Sequence, residues 1–342
     1  MPHAPRDHPV VDVHAHFFPL GLSAPAQAAD ETRWPRLVTA DEGTGRIMRG
    51  TEVFRQVKAA LWDVPTRLAE LDAAGVDRQV ISPVPVTLSN RADGKEAAEY
   101  LAAQNDLLAE AVAASGGRLL GLGAVPLQDA NLAVAELRRL TGELGLSGAE
   151  IGSRIGDLEL DDPALRPFFA AAEETGAAVF VHPVDGQRTT RRTGQPYEFG
   201  VGMLTDTALA ATALVFGGVL EDFPGLRVAL AHGCGAFPWT YPRTASGDAL
   251  LRGGPDPLRT EQLERMVRSL WADTLVFDPE HLRLVAARFG AGHLMLGSDH
   301  PFLRNPLEDA VGTVTAAVNQ QVLTHQEASR AMGRNALDFL GL

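Results

Sequence analysis

Eight short runs of β-branched and aliphatic residues recur along the chain, each separated from the next by a segment with helical spacing. No other feature constrains the fold as strongly. The runs lie at 10–17 (VVDVHAHF), 76–84 (VDRQVISPV), 119–127 (LLGLGAVPL), 147–152 (SGAEIG), 177–184 (AAVFVHPV), 227–234 (RVALAHGC), 270–277 (LWADTLVF) and 293–299 (HLMLGSD). Helical stretches between them include 95–115, 130–144, 163–175 and 279–289. Pro163 and Pro279 suit the first turn of a helix, where a missing N–H does no harm. Strand–helix alternation is the mark of a parallel sheet, and eight such units close into a (β/α)₈ barrel. The sequence therefore predicts an α/β fold, a TIM barrel formed as one domain over residues 1–342. Residues 19–62 break the alternation with Pro- and Gly-bearing patches such as TRWPRLV and RIMRGTEVF. They are expected to form a small insertion after the first strand.

The reactive residues fall where such a barrel would use them. The chain has ten histidines, and His14 and His16 alternate on the first strand, so both imidazoles face the same way. Two imidazoles on one side suit a bound metal ion, although the polar face of an edge strand has the same pattern. His182 closes the fifth run, His232 the sixth and Asp299 the eighth. In a barrel the C-terminal strand ends line the active site. A satisfied core histidine explains His182 alone, and a cap on the turn before Pro301 explains Asp299 alone. Neither explains four of eight units delivering such groups to one mouth. A His₃Asp ligand set completed by water suits Zn²⁺ or a similar first-row ion better than Mg²⁺ or Ca²⁺, which prefer oxygen shells. His232 is then a fifth group, close to the metal but free to move protons, with an ordinary pKa near physiological pH.

Composition excludes several other classes. The formal net charge of −13 argues against a nucleic-acid partner, because phosphate contacts need clustered Lys and Arg. One cysteine, Cys234, permits neither a disulfide framework nor a Cys-based zinc site within a chain. The segment MPHAPRDHPVVDV lacks the basic and long apolar regions of a signal peptide, and no run is expected to approach the ~18 apolar residues of a membrane span. A soluble, cytoplasmic protein with no membrane partner is the expectation. No GxGxxG follows a strand and no P-loop occurs, so no organic cofactor is expected.

The chain resembles the amidohydrolase superfamily: HxH on strand 1, histidines ending strands 5 and 6, and an aspartate ending strand 8. More narrowly, it is similar over nearly its whole length to the 2-amino-3-carboxymuconate 6-semialdehyde decarboxylase family. The segments that carry this are WDVPTRLAELDAAGVDRQVISPVPV (62–86), GLGAVPLQD (121–129), FVHP (180–183), VGMLTDTALA (201–210), FGGVLEDFPGLRVALAHGCGAFPW (216–239) and LGSDHPF (296–302). HxH alone is weak, whereas AHGxGAFP and LGSDxPF at the right strand ends are specific. The resemblance implies one Zn²⁺ per chain on His14, His16, His182 and Asp299, with His232 activating the metal-bound water. It further implies that Arg55 binds the carboxylate of a small-molecule substrate. Arg243 matches an arginine that members offer to the neighbouring subunit's active site, which implies a homodimer.

Some positions depart from that pattern. Phe199 stands where the family has a tryptophan, and its loop, 185–200, also carries Arg188, Arg191 and Arg192, which read either as a welcome for a polyanion or as a solvated charge run. Cys234 replaces a glycine as a small buried thiol. Glu150 ends strand 4, where two-metal amidohydrolases place a bridging group; the single-metal resemblance favours a supporting role. The expected activity is metal-dependent, nonoxidative decarboxylation of a small unsaturated acid, carboxymuconate-semialdehyde-like or aromatic. A hydrolase or hydratase on the same site is the rival, since fold does not fix the reaction. A noncatalytic metal-binding or ligand-sensing barrel is the other class, and the presence of His232 counts against it.

Overall fold

The first expected strand forms as β1 (Val11–Phe17) and is buried along its whole length. The structure, a computed structural model, describes residues 8–28, 30–40 and 43–342. Seven further parallel strands follow: β2 (Arg78–Pro83), β3 (Leu119–Gly121, resuming at Gly123–Ala124), β4 (Gly148–Gly152), β5 (Ala178–His182), β6 (Arg227–Leu230), β7 (Trp271–Asp273) and β8 (Leu294–Met295). Each pairs with its neighbours in chain order. The ring closes between the two ends of the series: the Val13 N–H donates to Leu296 O at 2.8 Å, Asp299 N–H to His14 O at 2.8 Å and His16 N–H to His300 O at 2.8 Å. The architecture is the TIM barrel that the alternation predicts.

Side-chain parity divides the core. Ala178 and Phe180 point into the barrel with Val11, Val13, Val80, Leu122, Ala229, Ala231 and Met295, and Phe339 and Leu340 of the C-terminal helix join them. The alternate residues Val179, Val181, Val228 and Leu230 face the surrounding helices. On β1 the register against β2 shifts between Asp12 and Ala15, a bulge that re-aims the strand. It lets Val13 pack in the inner core while His14 and His16 still turn into the mouth.

Helices α1 (Val64–Ala74), α2 (Gly94–Ala114), α3 (Ala130–Gly142), α4 (Arg166–Thr175), α5 (Met203–Phe216), α6 (Phe237–Leu251), α7 (Pro257–Ser269), α8 (Pro279–Phe289) and α9 (Pro306–Asn319) surround the barrel. Aspartate is the recurrent start signal: Asp63, Asp93, Asp129, Asp256 and Asp278 each cap the first turn through a side-chain oxygen, satisfying N–H groups that have no helical partner. Pro163 opens the short 3-10 turn before α4, and Pro279 opens α8. Between β1 and α1 the insertion folds as a three-stranded antiparallel sheet of Arg36–Thr39, Thr44–Arg49 and Glu52–Lys58.

Three expectations require correction. The sixth and eighth strands stop at Leu230 and Met295, so His232 and Asp299 sit in the turns beyond them, both at positive φ (58° and 59°). The seventh strand ends at Asp273 rather than near 277. One run is also long and apolar enough to cross a membrane, Tyr197–Phe216, contrary to the sequence reading. It is the barrel helix α5 with the π-helical turn before it. Its buried Asp206 accepts hydrogen bonds from Ser153 Oγ (2.6 Å) and from the N–H groups of Val184 (2.9 Å) and Asp185 (2.8 Å), which ties the helix to the loops after β4 and β5.

Candidate metal centre

Three histidines and one aspartate meet at the C-terminal mouth of the barrel. A ligand atom from each of His14, His16, His182 and Asp299 lies within 4.8 Å of the others, and all four residues are buried. The ring centroids of His14, His16 and His182 are 4.9–5.3 Å apart. Each ring has its Nδ1 engaged: His14 with Asp273 Oδ2 (2.7 Å), His16 with Pro83 O (3.0 Å) and His182 with Pro183 O (2.9 Å). A proton held on Nδ1 by such an acceptor leaves the lone pair on Nε2. The three Nε2 atoms are buried and form no hydrogen bond, and that of His16 lies 3.1 Å from Asp299 Oδ1. Buried polar atoms left unsatisfied are costly. Here they share one point with a carboxylate, and the residues fit a tetrahedral or five-coordinate divalent ion.

Charge follows from this packing. Burial pulls the His14 imidazole down, but the Asp273 hydrogen bond and the charges of Asp273, Asp299 and Glu150 outweigh it and leave His14 raised to about 9. His182 is pushed well below its ordinary value, first by burial and then by the other histidines. Burial would raise the Asp299 carboxyl, yet His16, His14 and His232 hold it below the usual range. One anionic ligand, Asp299, therefore faces three imidazoles.

His232 stands beside the cluster with its ring 5.3 Å from that of His14 and 5.2 Å from that of His182. Burial, followed by the charge of His14, lowers it to about 4, so it is neutral at pH 7. Its place is set by a turn in which His232, Gly233, Cys234 and Gly235 all have positive φ. A Cβ on Gly233 would meet Val276 Cγ1 at 2.5 Å, and one on Gly235 would collide with the carbonyl oxygen of Leu204, so both must be glycine. Asp273 Oδ2 accepts the His232 N–H (2.9 Å) while Oδ1 accepts the Gly233 N–H (2.8 Å) and the Leu275 N–H (3.1 Å). Asp273 thus holds both a ligand ring and the turn that carries His232. Sequence reading did not single it out; the available signal was a charged residue inside an otherwise apolar strand.

The chain matches the family described as Amidohydrolase over residues 11–342. The chain belongs to the amidohydrolase family. It is 34% identical over 339 residues to 2-amino-3-carboxymuconate-6-semialdehyde decarboxylase of Dictyostelium discoideum, covering 97% of this chain and 91% of that one. Among solved structures it is similar to apo IDCase of Metarhizium anisopliae (TM-score 0.80, 20% identity, 98% and 97% coverage). It is also similar to a manganese-bound dihydroxybenzoic acid decarboxylase of Polaromonas sp. JS666 (TM-score 0.74, 18% identity, 98% and 97% coverage).

Around this amidohydrolase centre the other expected residues are distributed unevenly. Arg55, on the last insertion strand, reaches the mouth: its guanidinium lies 4.3 Å above the Phe302 ring and donates to Phe302 O at 3.4 Å. Phe302 in turn lies 5.4 Å from the His16 ring. Partial burial pulls the Arg55 pKa down, and the charge of Asp299 opposes it. Phe199 packs edge-on to Phe277 of the loop after β7, with centroids 6.1 Å apart. Arg243 is exposed on α6, outside the ligand cluster of its own chain. Arg188 pairs with Asp157 at 3.1 Å, Arg192 lies over the Tyr197 ring and Arg191 is exposed. Glu150 is buried, receives the Ser82 hydroxyl and lies 3.9 Å from His16 Nδ1, on the side of the ring turned away from the cluster. Burial raises its carboxyl, against the pull of His16 and Ser82.

Proposed function

We propose that this amidohydrolase is a metal-dependent nonoxidative decarboxylase that acts on a small unsaturated carboxylate of the 2-amino-3-carboxymuconate-semialdehyde kind. The observation that carries the reading is the convergence of three buried Nε2 atoms that form no hydrogen bond, together with Asp299, beside a neutral His232. His14, His16, His182 and Asp299 would hold one divalent ion. When bound, such an ion polarises an oxygen and lowers the pKa of water at the site. Zinc suits the His₃Asp set, and the manganese held by the Polaromonas protein makes manganese the competing first-row choice.

His232, which burial keeps neutral, takes a proton from a water molecule at the site and delivers it to the carbon that bears the carboxylate. Solvent then returns a proton to that water, so the one proton gained by the product comes from bulk water. The C–C bond then breaks and the carboxylate leaves as CO₂. The net change replaces a carboxylate by a proton and consumes neither oxidant nor water. Arg55, with a planar fork suited to a carboxylate, orients the substrate over Phe302. Phe199 and Phe277 supply an apolar edge. A dimer completes the site: Trp239, Arg243 and Leu250 share one face of α6 by helical spacing, and Trp239 and Leu250 are each 80% exposed. A solvent-facing tryptophan and leucine flanking an arginine suit a subunit interface.

The test pairs product analysis with metal content. CO₂ release without net water uptake from a carboxymuconate or hydroxybenzoate panel supports the reading, and a hydrated or hydrolysed product refutes it. His232→Ala is expected to keep its ion and lose about 10²–10⁴ in rate, whereas His182→Ala and Asp299→Ala lose or loosen the ion. A His232→Ala protein that loses its metal makes His232 a ligand.

A further inference from the structure

Arg67 lies on α1, outside the ligand cluster, and is completely buried. Arginine is almost never buried unless it is paired, and this one is spent on the backbone and neighbours of metal ligands. Its NH2 donates to the carbonyl of His16 at 2.5 Å. Its NH1 donates to Gln79 Oε1 at 2.5 Å and meets His300 Nδ1 at 3.2 Å. His300 directly follows Asp299, and its Nε2 is held by Glu70 Oε2 at 2.7 Å, one α-helical turn on from Arg67. Gln79 Nε2 donates onward to Asp12 Oδ2 at 2.7 Å, and Asp12 Oδ1 accepts the His14 N–H at 3.2 Å. Ser298 Oγ donates to the same Asp12 Oδ2 and accepts the His300 N–H at 3.1 Å. One guanidinium thus bridges the chain at His16, the residue beside Asp299 and, through Gln79 and Asp12, the N–H of His14. It does so where β8 closes onto β1, the seam across which His16 and Asp299 must meet.

We propose that Arg67 is a positioning residue of the metal centre, fixing the separation of His16 and Asp299 across the β1–β8 seam. The inference rests on the reading of the four-residue cluster as a metal site. A planar fork is needed because two N–H groups must reach the His16 carbonyl and the Gln79–His300 pair at once; a lysine ammonium is a single point. Outer partners of this kind are typically worth about 10–100-fold in metal affinity.

The experiment measures full-length wild type, Arg67→Lys, Arg67→Met and Glu70→Gln after metal removal. Readouts are the dissociation constants for Co²⁺ and Zn²⁺ by chelator competition, the visible spectrum of the Co²⁺ form and the melting temperature of the metal-free protein. Arg67→Met is expected to weaken binding by about 10–100-fold and to alter the Co²⁺ spectrum. Arg67→Lys should recover melting temperature more fully than affinity, which a merely structural arginine would not do. Glu70→Gln, at a half-exposed position, should keep the wild-type melting temperature and shift affinity and spectrum in the same direction by less. Wild type that binds one ion with variants matching it in affinity and spectrum overturns the role of Arg67 alone, as does Arg67→Lys recovering both properties in parallel. Wild type that binds no ion overturns the metal-site reading itself, and this proposal with it.

Discussion

Replacing Asp273 by asparagine should change both how tightly a metal binds and how that binding depends on pH. Ligation requires a neutral imidazole, yet in the metal-free chain His14 is raised to about 9 through Asp273, Asp299 and Glu150. Below that value an incoming ion must displace a proton, so the apparent affinity of the wild type should rise about tenfold per pH unit until pH 9 and then level. At pH 7, about two units below that value, proton competition should cost roughly 100-fold in affinity. Asp273→Asn removes the charge and weakens the hydrogen bond that hold the His14 proton, and burial then pulls the imidazole down, so the slope should flatten. The same change loosens the ring, because an amide cannot accept from the His14 and His232 sides and from Gly233 and Leu275 as well. At pH 9, where proton competition has nearly vanished, the variant should bind about 10–100-fold more weakly. Towards pH 6 the two effects oppose, and the gap should close. Chelator-competition titrations with Zn²⁺ from pH 6 to 9 read both quantities. Two parallel lines, or a wild type whose affinity ignores pH, would refute the assigned charge state of His14.

Two further outcomes follow from the rim of the site. Arg55→Ala should raise KM for a carboxylated substrate by about 10-fold or more, as expected for losing a charged hydrogen bond of about 1.5–3 kcal/mol, with metal content unchanged and poor rescue by Arg55→Lys; wild-type kinetics in Arg55→Ala would sink the assignment. Mixing inactive Arg243→Ala chains with inactive His232→Ala chains should restore activity, since a mixed dimer rebuilds one whole site, and absence of recovery in verified mixed dimers would show that the subunits do not share it.

The parts of the molecule that were legible in the sequence are those governed by local periodicity. Eight apolar runs announced eight strands, and strand parity carried His182 inward with Ala178 and Phe180. His14 and His16 were read correctly as facing one way, although the bulge that lets them do so beside Val13 left no mark in the pattern. His232 and Asp299 were found by position but assigned to strands, because nothing local distinguishes a last strand residue from a left-handed turn residue two to four places on. Asp273 and Arg67 escaped for a different reason. Asp273 in LWADTLVF is one charge inside an apolar run that does not say what the carboxylate holds, and Arg67 in TRLAELD reads as a helix-surface charge with Glu70 on the same face. Both are buried only because distant strands close over them, and burial of that origin has no short-range signature.

That difference bears on how the site can change its substrate without losing its chemistry. Asp273 links a ligand ring to the turn of His232, so displacing one displaces the other, and β7 is poor ground for variation. The rim is built otherwise. Arg55 comes from the insertion, Phe199 from the loop after β5, Phe277 from the loop after β7 and Phe302 from the loop after β8, and among the described residues none of them holds a ligand ring in place through a hydrogen bond. Substitution at Arg55 and Phe302, which stack beside the His16 ring, can reshape the space over the metal centre while Asp273 and the β1–β8 seam keep its geometry, which is how loops on a rigid barrel separate specificity from catalysis. Phe199, on the loop after β5, is one position where such a change can be introduced. Phe199→Trp should therefore alter KM among carboxylates of different size by more than it alters the pH dependence of metal binding, and a shift in the latter would mean that the loop after β5 reaches the ligands after all.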